Sequence, residues 1–176
     1  MNQDTKLKSA ALSESAIPIS VAAGIASLAL VVPLLMSRST SPTPDHPKIL
    51  LWYKTLDQPR FKPPDIAIPL GWTLIESGFA VAAYRLLRKK NDASRNTSLA
   101  WLAGNVVAIG AWSRLFFGRQ NLPASTLAAA AMVGTGAAYV AAARPADKVA
   151  AAAGVPFVFW VGFATVLTAA IWRRNR

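Results

Sequence analysis

Tryptophan is the residue whose number and spacing in this sequence point most directly to a chemical role. The chain has 176 residues and six tryptophans. Four are predicted to lie at or near the same membrane surface, namely Trp52, Trp72, Trp112 and Trp172, and only Trp101 clearly marks the opposite surface. A belt of interfacial tryptophans would divide between both surfaces. Trp160 precedes Trp172 by twelve residues, about 18 Å along a helix, which is too deep for a belt. Indole rings gathered in this way can stack on a flat apolar ligand.

The last hydrophobic run carries four of the residues that such a pocket would need. Phe157, Trp160, Ala164 and Thr168 follow one another at spacings of three and four, so they share one helical face. Two are large and two are small. This pattern is typical of ordinary packing between helices and also of a wall with room beside it, and the uneven distribution of the tryptophans favours the wall.

Composition restricts the other chemistry that the chain can perform. The absence of cysteine excludes disulfides, thiolate metal sites and cysteine nucleophiles, and the single histidine, His46, predicts neither a histidine metal site nor a catalytic triad. We predict no catalytic residues, so any chemistry would belong largely to the ligand. Glu76 is the only acid inside a hydrophobic run, and it is either functional or a neutral group hydrogen-bonded within the bundle.

The elements that must position these residues are membrane-spanning helices. Hydrophobic residues make up 53% of the chain and charged residues 15%, a composition typical of a membrane protein. We therefore predict an all-α integral membrane protein, a bundle of five transmembrane helices in the lipid bilayer. The predicted spans are 17–36, 66–87, 98–117, 122–143 and 149–172.

One long connection, residues 37–65, joins the first two spans, and we call it the lid segment. Its second half reads WYKTLDQPRFKPPD, where three prolines disfavour helix and lower the entropy cost of a defined shape. Its aromatic residues are predicted to point into the bundle as apolar plugs: Trp52, Tyr53 and Phe61. The preceding residues 37–48 have the composition of a flexible linker.

Domain organisation and partners follow from the remaining patterns. Residues 1–16 are predicted to be a polar tail and 17–176 a single membrane domain. The net charge of +11 comes from basic residues beside the spans, which favours lipid phosphates over nucleic acid. Nine Lys or Arg residues fall on one side and ten on the other, so orientation is open. Ala100, Gly104 and Ala108 form a small-residue stripe that indicates packing within the monomer or, alternatively, a homodimer.

Three segments resemble the TspO/MBR family, which comprises the tryptophan-rich sensory proteins and the translocator protein, also called the peripheral benzodiazepine receptor. Residues 52–73 follow the family order of WY, L, P, an aromatic residue, PP and WT. WSRLFFGRQ at 112–120 is similar to the family segment WSPLFFG, and residues 155–175 are similar to its carboxyl-terminal segment. The match extends over roughly residues 52–175, with similar spacing throughout.

The resemblance implies a five-helix bundle whose first loop closes a pocket for tetrapyrroles (haem or protoporphyrin), sterols or benzodiazepine-type ligands. It implies binding or transport of such a ligand and a stress-sensing role, with no obligatory cofactor. The alternatives are photo-oxidative porphyrin breakdown and a regulatory membrane partner with a vestigial pocket. The predicted ligand-binding residues are Trp52, Tyr53, Phe61, Trp72, Trp112, Phe157, Trp160, Phe163, Ala164 and Thr168.

The sequence also departs from the family pattern at polar positions. Thr168 and Ile109 stand where the family usually has asparagine, and Phe157 stands where it has tyrosine. Each change removes a polar partner, which leaves the choice of ligand open. Four cations are predicted to pair with porphyrin propionates or, alternatively, with lipid phosphates: Arg60, Lys62, Arg114 and Arg119.

Overall fold

The computed structural model describes residues 17–176, so the predicted tail at 1–16 lies outside the described residues. The described part of the chain is helical, with six α-helices, one short π-helix and no β-strand. The helices are α1 (Ile19–Ser37), α2 (Pro47–Thr55), α3 (Ala67–Leu87), α4 (Ala93–Ser113), the π-helix (Arg114–Gly118), α5 (Leu122–Ala146) and α6 (Lys148–Arg174).

Four of these helices are long and apolar enough to cross a membrane. They are α1, α4 together with the π-helix, α5 and α6. The prediction of an all-α, multi-pass integral membrane protein is therefore confirmed. Helix α3 has 21 residues, but Glu76 and Arg85 make it more polar, and it is not among the four. The count of five spans stays a prediction.

The long helices run antiparallel to their neighbours in the chain, which gives the bundle two distinct ends. At the lid end, Arg114 Nε donates to the Met36 carbonyl, so the end of α1 meets the end of α4. At the opposite end, an Arg88 guanidinium nitrogen donates to the Ile17 carbonyl. Helix α1 packs on α3 and α4, and α6 packs on α3 and α5. The core therefore lies between α3, α4, α5 and α6.

Local sequence explains where the helices begin and why the third span differs from its prediction. Helix α4 begins at Ala93 rather than 98, because the Asp92 carboxylate caps it by accepting from the Arg95 amide at 2.8 Å. The buried Arg95 side chain also donates to the Leu86 carbonyl at 3.0 Å, which satisfies the end of α3. At the lid end the helix widens into the π-helix, a feature frequent at functional sites.

The lid segment is more regular than the sequence predicted. Trp52 and Tyr53 lie within helix α2, and the prolines Pro59, Pro63 and Pro64 occur in the non-helical stretch after Thr55. Pro47 occupies the first turn of α2, where its missing N–H costs nothing. Within residues 37–48, predicted to be a flexible linker, residues 38–46 form turns and bends between α1 and α2, and the Thr40 hydroxyl lies 3.1 Å from the Ser113 hydroxyl.

Ala100 and Gly104 of the small-residue stripe of α4 face outward, whereas Ala108 is partly buried against the core, so packing within the monomer and a homodimer both stay predictions. A Cβ built at Gly104 would meet no other atom within 4 Å. Helix α4 is instead joined to α5 by polar contacts. The buried Asn105 amide donates to the Thr135 carbonyl at 3.2 Å and accepts from the Thr135 hydroxyl at 2.7 Å.

Asp147 forms the junction between α5 and α6. Its buried carboxylate accepts from the amides of Val149 and Ala150, both at 2.9 Å, which caps α6. Arg85 donates to it through two nitrogens at 3.1 and 3.0 Å, and Lys89 Nζ lies 3.2 Å away. This one carboxylate therefore links α3 to the turn between α5 and α6.

Replacing Asp147 with asparagine is expected to lower the melting temperature in detergent at pH 7 by about 4–8 °C. Burial raises the pKa of the Asp147 carboxyl, but hydrogen bonds from Arg85, the Ala150 amide and Lys89 outweigh burial and lower it from 3.8 to about 2. This shift corresponds to about 2 kcal/mol of stability. Because the folded-state pKa is depressed, the contribution is complete above pH about 4 and is lost as the pH falls toward about 2.

Thermal unfolding of both proteins between pH 2 and pH 7 tests this expectation. The two melting curves should converge at the acid end of the range. A constant difference between them across the whole range would contradict the assignment.

Candidate ligand site at the lid end

Three tryptophans from three different helices converge near the lid end of the bundle. Trp72 comes from α3, Trp112 from the end of α4 and Trp160 from the middle of α6. The Trp72 and Trp160 rings meet edge to face, with their centroids 6.2 Å apart. A gap among the helices is lined by Trp72, Trp112, Ala129, Met132, Val161 and Ala164. This gap has no room for a water molecule, so the rings meet without leaving an open hollow.

The lid segment contributes a second aromatic cluster above this gap. Trp52 packs edge-on against Phe116 of the π-helix at 5.8 Å, and Tyr53 packs against Phe117 at 5.6 Å. Trp112 stacks on Phe116, with ring centroids 5.1 Å apart and an interplanar angle of 17°. Trp112 therefore belongs to both clusters and connects the lid segment to the gap.

Phe61 connects the lid segment to the gap along a second route. Its half-exposed ring lies 6.5 Å from Phe163, and Phe163 lies 5.9 Å from Trp160. The three rings form a row from the surface into the bundle. The predicted placement of Phe61 over the other aromatic residues agrees with this geometry.

Of the ten predicted site residues, three line the gap: Trp72, Trp112 and Ala164. Five more belong to the aromatic contacts beside it: Trp52, Tyr53, Phe61, Trp160 and Phe163. The other two, Phe157 and Thr168, do neither. Phe157 is fully buried in the core, where its ring lies 5.0 Å from Phe79 and beside Gly136. The buried Thr168 hydroxyl donates to the Ala164 carbonyl at 2.8 Å, within its own helix. Ala164 does line the gap.

Several residues of this region were missed from the sequence. Ala129, Met132 and Val161 line the gap, but nothing in their spacing distinguished them from other core residues. Phe116 and Phe117 are central to the upper cluster, and the WSRLFFGRQ motif contained the signal for them. Their contacts with the lid segment depend on the π-helix, which the sequence analysis did not predict.

Polar groups close to the site are largely satisfied within the protein. The Trp112 indole N–H donates to the Ser125 carbonyl at 2.9 Å, which fixes the ring between α4 and α5. Lys62 pairs with Asp65 and lies 5.2 Å from the centre of the Tyr53 ring. Burial lowers the pKa of Lys62, but the hydrogen bond to Asp65 and the nearby charges outweigh it and raise the pKa above its usual value.

The four predicted propionate-binding cations differ in their surroundings. Arg114 donates to the Met36 carbonyl at 3.2 Å and Lys62 is paired with Asp65, whereas Arg60 and Arg119 are exposed. Glu76 is half-buried in α3 and forms no ion pair with any residue between 17 and 176. Both interpretations of Glu76 therefore stay open.

The carboxyl-terminal end of α6 holds the lid segment in place. The Asn175 side chain accepts from the Asp57 amide at 3.0 Å and donates to the Asp57 carbonyl at 3.1 Å. Arg174 adds an exposed ion pair with the Asp57 carboxylate at 3.3 Å. The lid segment is thus anchored immediately before its proline-rich half.

Replacing Asn175 with alanine is expected to increase amide hydrogen exchange around residues 56–60 about tenfold, because two hydrogen bonds to the Asp57 backbone are lost. Arg174→Gln is the matched control. It removes only an exposed ion pair, which contributes at most about 1 kcal/mol, and should change exchange less. Equal effects of the two substitutions would show that Asn175 has no special part in holding the segment.

The chain is similar to several proteins of known family. The sequence profile of the TspO/MBR family matches residues 24–173. A translocator protein from Sus scrofa is 27% identical over 131 residues, which are 73% of this chain and 78% of that protein. A tryptophan-rich protein TspO from Chlorobaculum tepidum is 29% identical over 159 residues, covering 86% and 97% of the two chains. The family profile extends over most of the described helices, and the chain therefore belongs to the TspO/MBR family.

Proposed function

We propose that this protein binds a flat hydrophobic ligand, a tetrapyrrole such as protoporphyrin or haem, between the tryptophans at the lid end, and that it transports or senses that ligand in the membrane. The observation that carries the proposal is that Trp72 and Trp112 line a gap with small neighbours, Ala129 and Ala164, while Trp160 packs edge to face against Trp72. Aromatic faces beside small side chains can accommodate a planar ring system once the gap widens.

Ligand entry requires the aromatic rings to move apart, because the gap cannot hold even a water molecule. The row of Phe61, Phe163 and Trp160 is the path that we propose, since Phe61 is half-exposed at its outer end. The ligand would therefore bind a minor, open state, and its apparent affinity would fall with the population of that state.

The charged groups at the lid end suit a ligand with carboxylates. Arg60 and Arg119 are exposed and can turn toward propionate groups, which guanidinium binds with two parallel hydrogen bonds. Thr168 and Phe157 offer no free polar atom at the gap, so recognition would rest on stacking and on these cations. A sterol lacks both features and fits this site less well.

Titration of the purified protein with protoporphyrin in mild detergent tests the proposal. A saturable shift of the Soret band, together with quenching of tryptophan fluorescence, is the expected result. Trp101→Phe serves as a control, because that residue lies on the opposite half of α4. A linear, non-saturating signal would show partition into detergent and would count against the site.

The closed gap also supports a second proposal, a regulatory membrane partner whose pocket no longer opens. The exposed residues Ala100 and Gly104 offer a surface for a second helix, including that of another copy in a homodimer. Failure of saturable porphyrin binding, together with retention of a dimer that Gly104→Leu disrupts, would favour this alternative.

A further inference from the structure

A second concentration of charged side chains lies at the opposite end of the bundle, far from the tryptophan site. Arg85 from the end of α3, Lys89 from the turn that follows it, Arg144 from α5 and Lys148 from α6 surround an open depression. Its volume of about 310 Å³ corresponds to roughly ten water molecules at about 30 Å³ each. Three separate helices therefore bring their cations to one place.

Among residues 17–176, Asp147 is the only carboxylate that lines this depression, and its capacity to accept hydrogen bonds is already used. It receives two bonds from Arg85, one close contact from Lys89, and the amides of Val149 and Ala150. Four cationic side chains beside one saturated carboxylate leave three positive charges in excess. The depression is therefore an environment for an added anion.

The cations are partly fixed in position and still have hydrogen-bond donors to spare. Arg85 uses two of its five N–H donors on Asp147, and Lys89 uses one of three. Their side chains remain 40% and 47% exposed. Arg144 and Lys148 are exposed, and no residue in 17–176 forms an ion pair with either. An incoming anion would thus meet two cations already held against Asp147 and two exposed cations beside them.

The position of the depression identifies the class of anion. It lies where α3 and α5 end and α6 begins, at the end of helices that cross the bilayer, which is the level of lipid phosphates. Its rim is apolar, because Pro145 and Val149 are exposed beside the cations. A lipid can place its phosphate among the cations and its glycerol and acyl carbons against this rim. A small soluble anion has no apolar part, so the rim would add nothing to its binding.

We propose that this depression is a binding site for the head group of an anionic phospholipid. The phosphate diester would be held by Arg144 and Lys148 together with the spare donors of Arg85 and Lys89. Because the site lies at the other end of the bundle, it is independent of tetrapyrrole binding.

The double variant Arg144→Gln, Lys148→Gln tests the proposal without disturbing Asp147. The full chain in detergent is titrated with phosphatidylglycerol, with phosphatidylcholine and with inorganic phosphate, while native mass spectrometry counts retained lipids and melting temperature reports stabilisation. We expect phosphatidylglycerol to be preferred over phosphatidylcholine, and the double variant to bind phosphatidylglycerol about 30-fold more weakly.

A matched control removes the same two residue types at the lid end: Lys54→Gln, Arg173→Gln. Both residues are exposed, so both double variants should fold, which size-exclusion chromatography and circular dichroism verify. Retention of phosphatidylglycerol by the control supports the site. Equal loss in both variants, equal stabilisation by phosphatidylcholine, or saturation by inorganic phosphate without a preference for phosphatidylglycerol would each overturn the proposal.

Discussion

Replacing Trp160 with alanine is expected to weaken protoporphyrin binding about 30-fold. The Trp160 ring is held between Trp72 at 6.2 Å and Phe163 at 5.9 Å, so it is the link between the gap and the row of rings that leads to Phe61. Loss of its stacking surface and buried area removes about 2 kcal/mol from the binding free energy. Soret titration of wild type and variant in the same detergent measures the difference.

A competing effect gives this experiment its diagnostic value. Alanine at position 160 also creates space, and a gap that is too narrow to hold a water molecule would become easier to enter. If opening of the gap limits affinity more than stacking does, the variant will bind more tightly than wild type. Trp160→Phe keeps an aromatic face with less bulk, so its affinity for protoporphyrin should lie between those of wild type and Trp160→Ala. Tighter binding by Trp160→Ala would refute stacking as the source of affinity.

Replacing Gly154 with alanine is expected to destabilise the bundle by about 3 kcal/mol. A Cβ built at this position would lie 2.4 Å from Tyr139 Cε1, far inside van der Waals contact. The Tyr139 ring is fully buried, packs 5.7 Å from Phe79, and donates through its hydroxyl to the Ala150 carbonyl at 2.8 Å. It cannot move aside without losing that bond, so α5 and α6 would have to separate.

Gly162→Ala is the matched control for this prediction. Gly162 lies on the same helix, and a Cβ there would meet no other atom within 4 Å. Alanine is favoured over glycine within a helix by up to about 1 kcal/mol, so the control should be neutral or slightly more stable. Thermal unfolding in detergent compares the two, and a similar melting temperature for both variants would disprove the close approach of α5 and α6 at Gly154.

The hydrophobic runs determined the helical, membrane-embedded class of this protein. Bilayer thickness and the need to satisfy every backbone hydrogen bond leave few other solutions for such runs. Helix ends were less well predicted, because they depend on caps such as Asp92 and on the first-turn position of Pro47, which are individual contacts rather than periodic features. Helix α2 within the lid segment was not predicted for the same reason, since its start depends on Pro47.

The aromatic pattern of the sequence predicted which end of the bundle carries most of the tryptophans, whereas the contacts of each side chain depended on tertiary packing. Of the tryptophans predicted to converge, Trp72 and Trp112 line the gap, and Trp160 meets Trp72 edge to face. Phe157 and Thr168 share the predicted face of α6 with Trp160, yet one fills the core against Phe79 and the other bonds to its own helix. Helical periodicity assigns a residue to a face, but the neighbouring helices decide what that face meets.

By itself, then, the sequence determined a membrane-embedded helical chain with its tryptophans concentrated toward one end, because hydrophobic length and the spacing of residues along a helix are local properties. Only the tertiary structure decided that the gap among those rings is closed, that α5 and α6 approach at Gly154, and that cations of three helices meet around Asp147. These features depend on distances between residues far apart in the chain, which are set when the helices pack together.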